Sequence, residues 1–150
     1  MNIHYKNPLL LLLTVLFVAS CSSKPVASGA KGAISFDDFD KVVYFDFDRS
    51  EIKPEAYDEL DANAEYIIQQ VEDDAAFSVI IEGHTDESGT AGYNFALGNR
   101  RAESVARYLR VKGVSSDALS IESYGEERPV ALGSNQNAWA QNRRAEIVYP

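Results

Sequence analysis

Between residues 83 and 102 the chain carries Gly83-His84-Thr85-Asp86-Glu87-Ser88-Gly89 and then Asn94-Phe95-Ala96-Leu97-Gly98-Asn99-Arg100-Arg101-Ala102. Asn94, Leu97 and Arg101 are spaced by three and four residues, so on a helix they share one face. Asp86 follows a β-branched run and precedes that helix, close enough in the chain to be brought beside Arg101. A carboxylate on one wall and a guanidinium on the other suit a small zwitterion. Each charge meets its opposite, and the planar fork of Arg holds a carboxylate bidentately. The same two side chains could instead satisfy one another as a structural pair.

Other chemistry is poorly provided for. Beyond the first twenty residues the one histidine is His84, and there is no Gly-x-Ser-x-Gly, no Cys-His pair and no paired cysteines. The residue set therefore points away from an enzyme, with no cofactor expected. His84 and Asp86 could share a metal, but two ligands fall short of a site, and packing of His84 at a strand end is the alternative. Asp46 and Asp48 flank Phe47. In an extended segment they point to opposite sides, which argues against their sharing one glycosidic bond. Turn formation by both acids remains open.

These residues need elements to hold them. Val42-Val43-Tyr44-Phe45 reads as a first strand, followed by a loop over 46–50. Pro54 fits a helix's first turn. Ala56, Leu60, Ala64, Ile67 and Val71 then set one apolar stripe, ending near Asp73-Asp74. Ser78 to Glu82, closed by Gly83, is a second strand. The Asn94 helix follows, with Leu97, Val105 and Leu109 at helical spacing and Lys112-Gly113 as its stop. Ser120 to Tyr124 alternates as a third strand. A polar loop over 125–136, a short helical turn over 137–141 and a strand over 145–149 complete the order β-α-β-α-β-(short α)-β. That order predicts an α+β two-layer sandwich, a mixed sheet with helices on one side.

The first twenty residues have Lys6 as a basic start and an apolar stretch from Leu9 to Val18, about half of the ~20 residues that span a bilayer. They read as a secretory leader. Val18-Ala19-Ser20-Cys21 fits a lipobox, with Cys21, the single cysteine, as the lipidated N-terminus of the processed chain. Several acyl chains make such an anchor durable. Residues 21–39 read as lipidated terminus and flexible tether, the part over 22–32 being made mostly of Ser, Lys, Pro, Ala and Gly. The remainder, 40–150, is long enough for one core. Losing the leader removes one of 14 basic residues and none of 23 acids, so the net charge moves from -9 to -10. Such a surface speaks against nucleic acid. The acidic segment 35–40 has no role that the sequence supplies.

The run His84-Thr85-Asp86, then Asn94, then Leu97 to Ala102, with Asn142-Arg143-Arg144-Ala145 near the end, resembles the OmpA-like peptidoglycan-binding domain. Tyr44-Phe45-Asp46-Phe47-Asp48 and Ser123 to Pro129 agree with it, and the resemblance covers roughly residues 40–150. It implies a non-enzymatic anchor that binds the diaminopimelate side chain of the peptidoglycan stem. Asp86 would accept the ammonium and Arg101 clamp the carboxylate. Thr85 and Asp86 would offer backbone N–H groups, and Asn94 would brace loop or ligand. The loop after the first strand, with Phe45 and Asp46, would form a wall, and Arg144 would be a second contact or else a surface salt bridge. Arg100 reads as surface charge. The resemblance further implies outer-membrane attachment through the lipid on Cys21, TolB as a protein partner, and a role in envelope integrity and cell division. Another wall-anchoring lipoprotein with different partners, or a peptidoglycan hydrolase, are the competing readings.

Overall fold

A computed structural model describes Ser35, Asp37 and residues 39–150. The leader, Cys21 and most of the tether lie outside the described residues.

Four strands form one sheet: β1 (Val42–Tyr44), β2 (Val79–His84), β3 (Leu119–Gly125) and β4 (Arg144–Val148). Their spatial order is β1-β4-β2-β3. β4 runs antiparallel to both neighbours and β2 parallel to β3. The helices are α1 (Tyr57–Asp73), α2 (Ala91–Val111) and the short α3 (Gln136–Asn142). The mixed sheet and the element order are those the sequence predicts. Pro54 does not open α1 directly. It starts a single 3-10 turn, Pro54–Ala56, whose tight geometry feeds the α-helix one residue later.

Alternation along the strands decides which side is buried. Val79 and Ile81 of β2 and Ala145 and Ile147 of β4 face the core with Leu60, Ala64 and Ile67 of α1 and Val105 and Leu109 of α2. Burying each large aliphatic side chain contributes about 1.5–3 kcal/mol. One polar residue belongs to this interior. Asn63 of α1 donates to the Asp40 carbonyl at 2.7 Å and accepts from the Tyr149 hydroxyl at 2.8 Å, tying together the two ends of the domain. The core begins at Phe39, which is buried with its ring against Tyr66 and Tyr149. The acidic segment thus ends in an apolar plug.

The site depends on how closely α2 approaches the sheet. Gly83 and Gly98 face each other, and a Cβ on Gly83 would fall 1.9 Å from the Gly98 carbonyl oxygen. Only glycines allow that contact. It brings the α2 residue Arg101 level with the end of β2.

Candidate functional site

Arg101 is fully buried, and its guanidinium is spent largely on backbone. Nε donates to the Arg49 carbonyl at 2.9 Å, Nη1 to His84 at 2.7 Å and Nη2 to Asp46 at 3.1 Å. The Phe45 ring lies beneath it, 5.3 Å from centroid to guanidinium carbon. These bonds tie α2 to the end of β2 and to the loop after β1. A guanidinium has five N–H donors, so two remain after these three bonds. Burial lowers its pKa to about 10, opposed by the Asp86 charge, so it stays cationic at neutral pH.

Asp86 follows β2 in a turn closed by its own carboxylate, which accepts from the Ser88 N–H at 2.9 Å. The ion pair that spacing allowed between Asp86 and Arg101 is not made. The Asp86 carboxylate pairs with Arg143 at 3.2 Å, and both side chains are largely shielded from solvent. Arg101, bound to three carbonyls, is held at a different point of the same pocket.

That pocket measures about 190 Å³ and is lined by Asp48, Thr85, Asp86, Asn94, Leu97 and Arg101, with Phe47 and Tyr93 at its rim. Thr90 caps α2, accepting from the Tyr93 N–H at 3.3 Å. Asn94, one turn in, donates to the Asp86 carbonyl at 3.3 Å and to the Glu126 carboxylate. Across the mouth the Tyr93 hydroxyl donates to the Asp48 carboxylate. Asp48 holds a φ of 57°, a left-handed conformation that Asp tolerates better than most residues. Counting Arg143 behind Asp86, two cations face two carboxylates. A neutral pocket of separated charges accepts a small zwitterion without net desolvation of an unpaired ion.

The sequence-predicted residues divide. Thr85, Asp86, Asn94 and Arg101 line the pocket together. Phe45, Asp46 and Arg144 do not. Phe45 is a core residue supporting Arg101. Asp46 contributes its carbonyl, while its exposed carboxylate lies 3.9 Å from Lys53. The left-handed turn at Asp48 puts that acid in the wall instead. Arg144 sits on the opposite sheet face, where it pairs with Glu146 at 3.4 Å. Alternation explains this: Ala145 and Ile147 face the core, so Arg144 and Glu146 face away. The Thr85 N–H is already donated to the Gly125 carbonyl at 2.8 Å and is not free for a ligand. Arg100 is exposed, over the Tyr93 ring at 5.7 Å.

Arg143, Asp48, Tyr93 and Phe47 were not among the binding residues that the sequence suggested, Asp48 having been weighed only as half of an acid pair or as a turn former. Arg143 was accessible in principle, since it shares parity with the inward-facing Ala145 and Ile147. His84 packs, as the strand-end alternative has it: it is buried and stacked on Tyr124 at 5.6 Å. Among the described residues no three His, Cys, Asp or Glu side chains converge to hold a metal, and no helix is long and apolar enough to cross a membrane.

A four-stranded mixed sheet backed by helices, with this pocket at the ends of β2 and α2, defines a class. The chain belongs to the OmpA family, which matches residues 44–143. More particularly, it is similar to peptidoglycan-associated lipoproteins. It is 42% identical to that of Pasteurella multocida over 147 residues, covering 94% of this chain and 95% of that one. With that of Pseudomonas aeruginosa it is 50% identical over 104 residues, covering 69% of this chain, and it spans only 59% of that relative's length. The crystal structure of the Burkholderia pseudomallei peptidoglycan-associated lipoprotein superposes with a TM-score of 0.69 at 42% identity, covering 73% of this chain and 90% of that one. The C-terminal domain of Helicobacter pylori MotB, 24% identical with a TM-score of 0.65 over 73% of this chain and 83% of that one, shares the fold.

Proposed function

We propose that the chain is a lipid-anchored envelope protein whose domain binds the diaminopimelate stem of peptidoglycan non-covalently and so tethers the outer membrane to the wall. The observation that carries this reading is the pocket's charge arrangement. Asp86 and Asp48 present carboxylates, and Arg101 keeps two N–H groups beyond its three backbone bonds. The far end of a diaminopimelate side chain, one ammonium and one carboxylate, matches that pair of walls. Asp86 receives the ammonium on lone pairs not used by Ser88 and Arg143, and Arg101 clamps the carboxylate. Its relatives' names, peptidoglycan-associated lipoprotein, support the same reading. Anchoring through Cys21, partnership with TolB and a role in constriction at division follow from family resemblance and are part of the proposal. Wall binding of this kind needs no catalysis.

The experiment is sedimentation of the 150-residue chain, in mild detergent, with purified sacculi. Diaminopimelate-type sacculi should retain it, and lysine-type sacculi should not. A lysine stem lacks the second carboxylate and leaves the Arg101 donors unpaired, at a cost of about 2–5 kcal/mol. Asp86→Ala should lose the first interaction while melting cooperatively. Equal retention on both sacculi would overturn the assignment.

A further inference from the structure

Thr85 is shared by two cavities. Asp86 lines the larger one, and the next residue, Glu87, lines a second of about 90 Å³ with Glu126, Ala131 and Asn142. The second wall carries acceptors: two carboxylates and, among the described residues, no lysine or arginine. Thr85 itself is 3% exposed, and its hydroxyl has no hydrogen-bond partner among the described residues. Buried polar groups are nearly always paired, so an unpaired hydroxyl at the wall of a cavity marks a place for a ligand or water.

The cavity's shape is set without a ligand. The Asn142 side chain accepts from the N–H groups of Val130 and Ala131 at 2.9 and 3.0 Å and donates to the Ala131 carbonyl at 2.8 Å. Glu87 is steadied by the Trp139 indole N–H at 3.1 Å. Glu126 accepts the Asn94 amide on one oxygen, and its other oxygen meets no donor among the described residues. At ~30 Å³ per water, the space corresponds to about three waters or one small polar group. A free carboxylate would meet two like charges there. An N–H group would meet acceptors.

We propose that this second cavity is a subsite for a backbone N–H of the peptide that carries the zwitterionic side chain. The peptide would be read at two adjoining points, its side-chain end in the first pocket and a main-chain amide beside Thr85, Glu87 and Glu126. This rests on the reading of the first pocket given above. The amide can lie on either side of the diamino acid, and the choice of probes separates the two.

The test is titration of the 150-residue chain in detergent with three probes. 2-Aminoheptanoate carries the zwitterion alone, L-Ala-γ-D-Glu-meso-diaminopimelate adds an amide on the N-terminal side, and its D-alanyl extension adds one on the C-terminal side. We expect an extended probe to bind about ten-fold or more tighter than 2-aminoheptanoate. A gain at the first extension assigns the N-terminal amide, and a gain only at the second assigns the C-terminal one. Ala131→Leu, which fills the cavity, and Glu87→Gln, which keeps an acceptor for Trp139 but removes the charge, should each abolish most of that gain. Affinity for 2-aminoheptanoate and the melting temperature should not change. Equal binding of all three probes, or variants that keep the full gain, would overturn the subsite alone. A folded parent that binds none of them would overturn the first pocket and this inference with it.

Discussion

Arg143 donates to Asp86 at 3.2 Å and, through Nε, to the Phe45 carbonyl at 3.2 Å. One side chain just before β4 thus fixes both the pocket's carboxylate and the residue that follows β1. It supplies the countercharge that Arg101 does not. Arg101 is left as the cation with donors to spare, and Asp86 as a carboxylate neutralised from behind.

Breaking that relationship should cost stability as well as binding. Arg143→Ala leaves Asp86, 4% exposed, without its cation. Loss of one partner of a buried pair costs about 3–5 kcal/mol, and partial solvent access should bring this nearer 2. In a double-mutant cycle with Asp86→Asn, urea midpoints should show a coupling of about 1 kcal/mol or more. Additive losses would mean that the two side chains do not act as a pair.

Arg101→Lys tests shape against charge. A lysine keeps the cation but cannot reach three carbonyls in one plane while holding two donors toward a ligand. Each unsatisfied buried carbonyl costs about 1–3 kcal/mol. We expect a loss of about 2 kcal/mol or more in unfolding experiments, and retention on sacculi reduced at least about ten-fold under conditions where the variant remains folded. Near-normal stability would show that the loop over 46–49 is held by other contacts.

The strands and the two long helices were readable from periodicity, because β-branched alternation and the three-four spacing along α1 and α2 agree with their burial, and the sheet's mixed character was readable from the element order. Asp86, Asn94 and Arg101 were readable for the same reason, since a strand end and one helix face are local features, and Thr85 came only with the family resemblance. The other walls were not. Choosing Arg143 over Arg144 needs the facing of β4, which the parity of Ala145 and Ile147 suggests but which only the pairing with β1 and β2 fixes. Choosing Asp48 over Asp46 needs the left-handed turn at Asp48, a conformation that an Asp permits but does not announce. Phe45 looked like a binding aromatic because it adjoins the loop, yet it supports Arg101 from the core.

The Gly83–Gly98 contact makes a steric prediction. A Cβ on Gly98 would fall 2.4 Å from the Ser123 Oγ and 2.7 Å from the Gly83 carbonyl oxygen. The hydroxyl can rotate away, but the strand backbone cannot. Although alanine favours helix by about 1 kcal/mol over glycine, Gly98→Ala should destabilise by about 1–3 kcal/mol through overpacking. Pushing α2 off β2 also displaces Arg101 from the His84 carbonyl, so wall binding should fall with stability. Gly92, an α2 residue with open space around its Cβ position, is the control: Gly92→Ala should leave binding unchanged and stability equal or raised by up to about 1 kcal/mol.

His84 should give the domain a measurable acid limb. The ring is 1% exposed, and neither nitrogen has a hydrogen-bond partner among the described residues. Tyr124 stacks on it, Glu82 lies 3.6 Å from Nε2, and the cations Arg144 and Arg128 stand nearby. Burial first, and then those two arginines, lower its pKa from 6.5 to about 4. Because the folded value is the lower one, the unfolded chain takes up the proton first as pH falls. The contribution is therefore intact above pH 6.5 and is lost as pH drops toward 4. At 1.36 kcal/mol per unit, the loss between pH 7 and 5 is at most about 2 kcal/mol. His84→Phe preserves the stacking and removes both nitrogens. Subtracting its stability profile from the parent's isolates this residue from the carboxylates that titrate in the same range. The difference should slope between pH 6.5 and 5 and flatten above 7. A flat difference throughout would mean that folding leaves the proton affinity of His84 unchanged, and a slope of the opposite sign, with stability lost as pH rises, would mean that it is protonated in the folded domain with Glu82 as its partner.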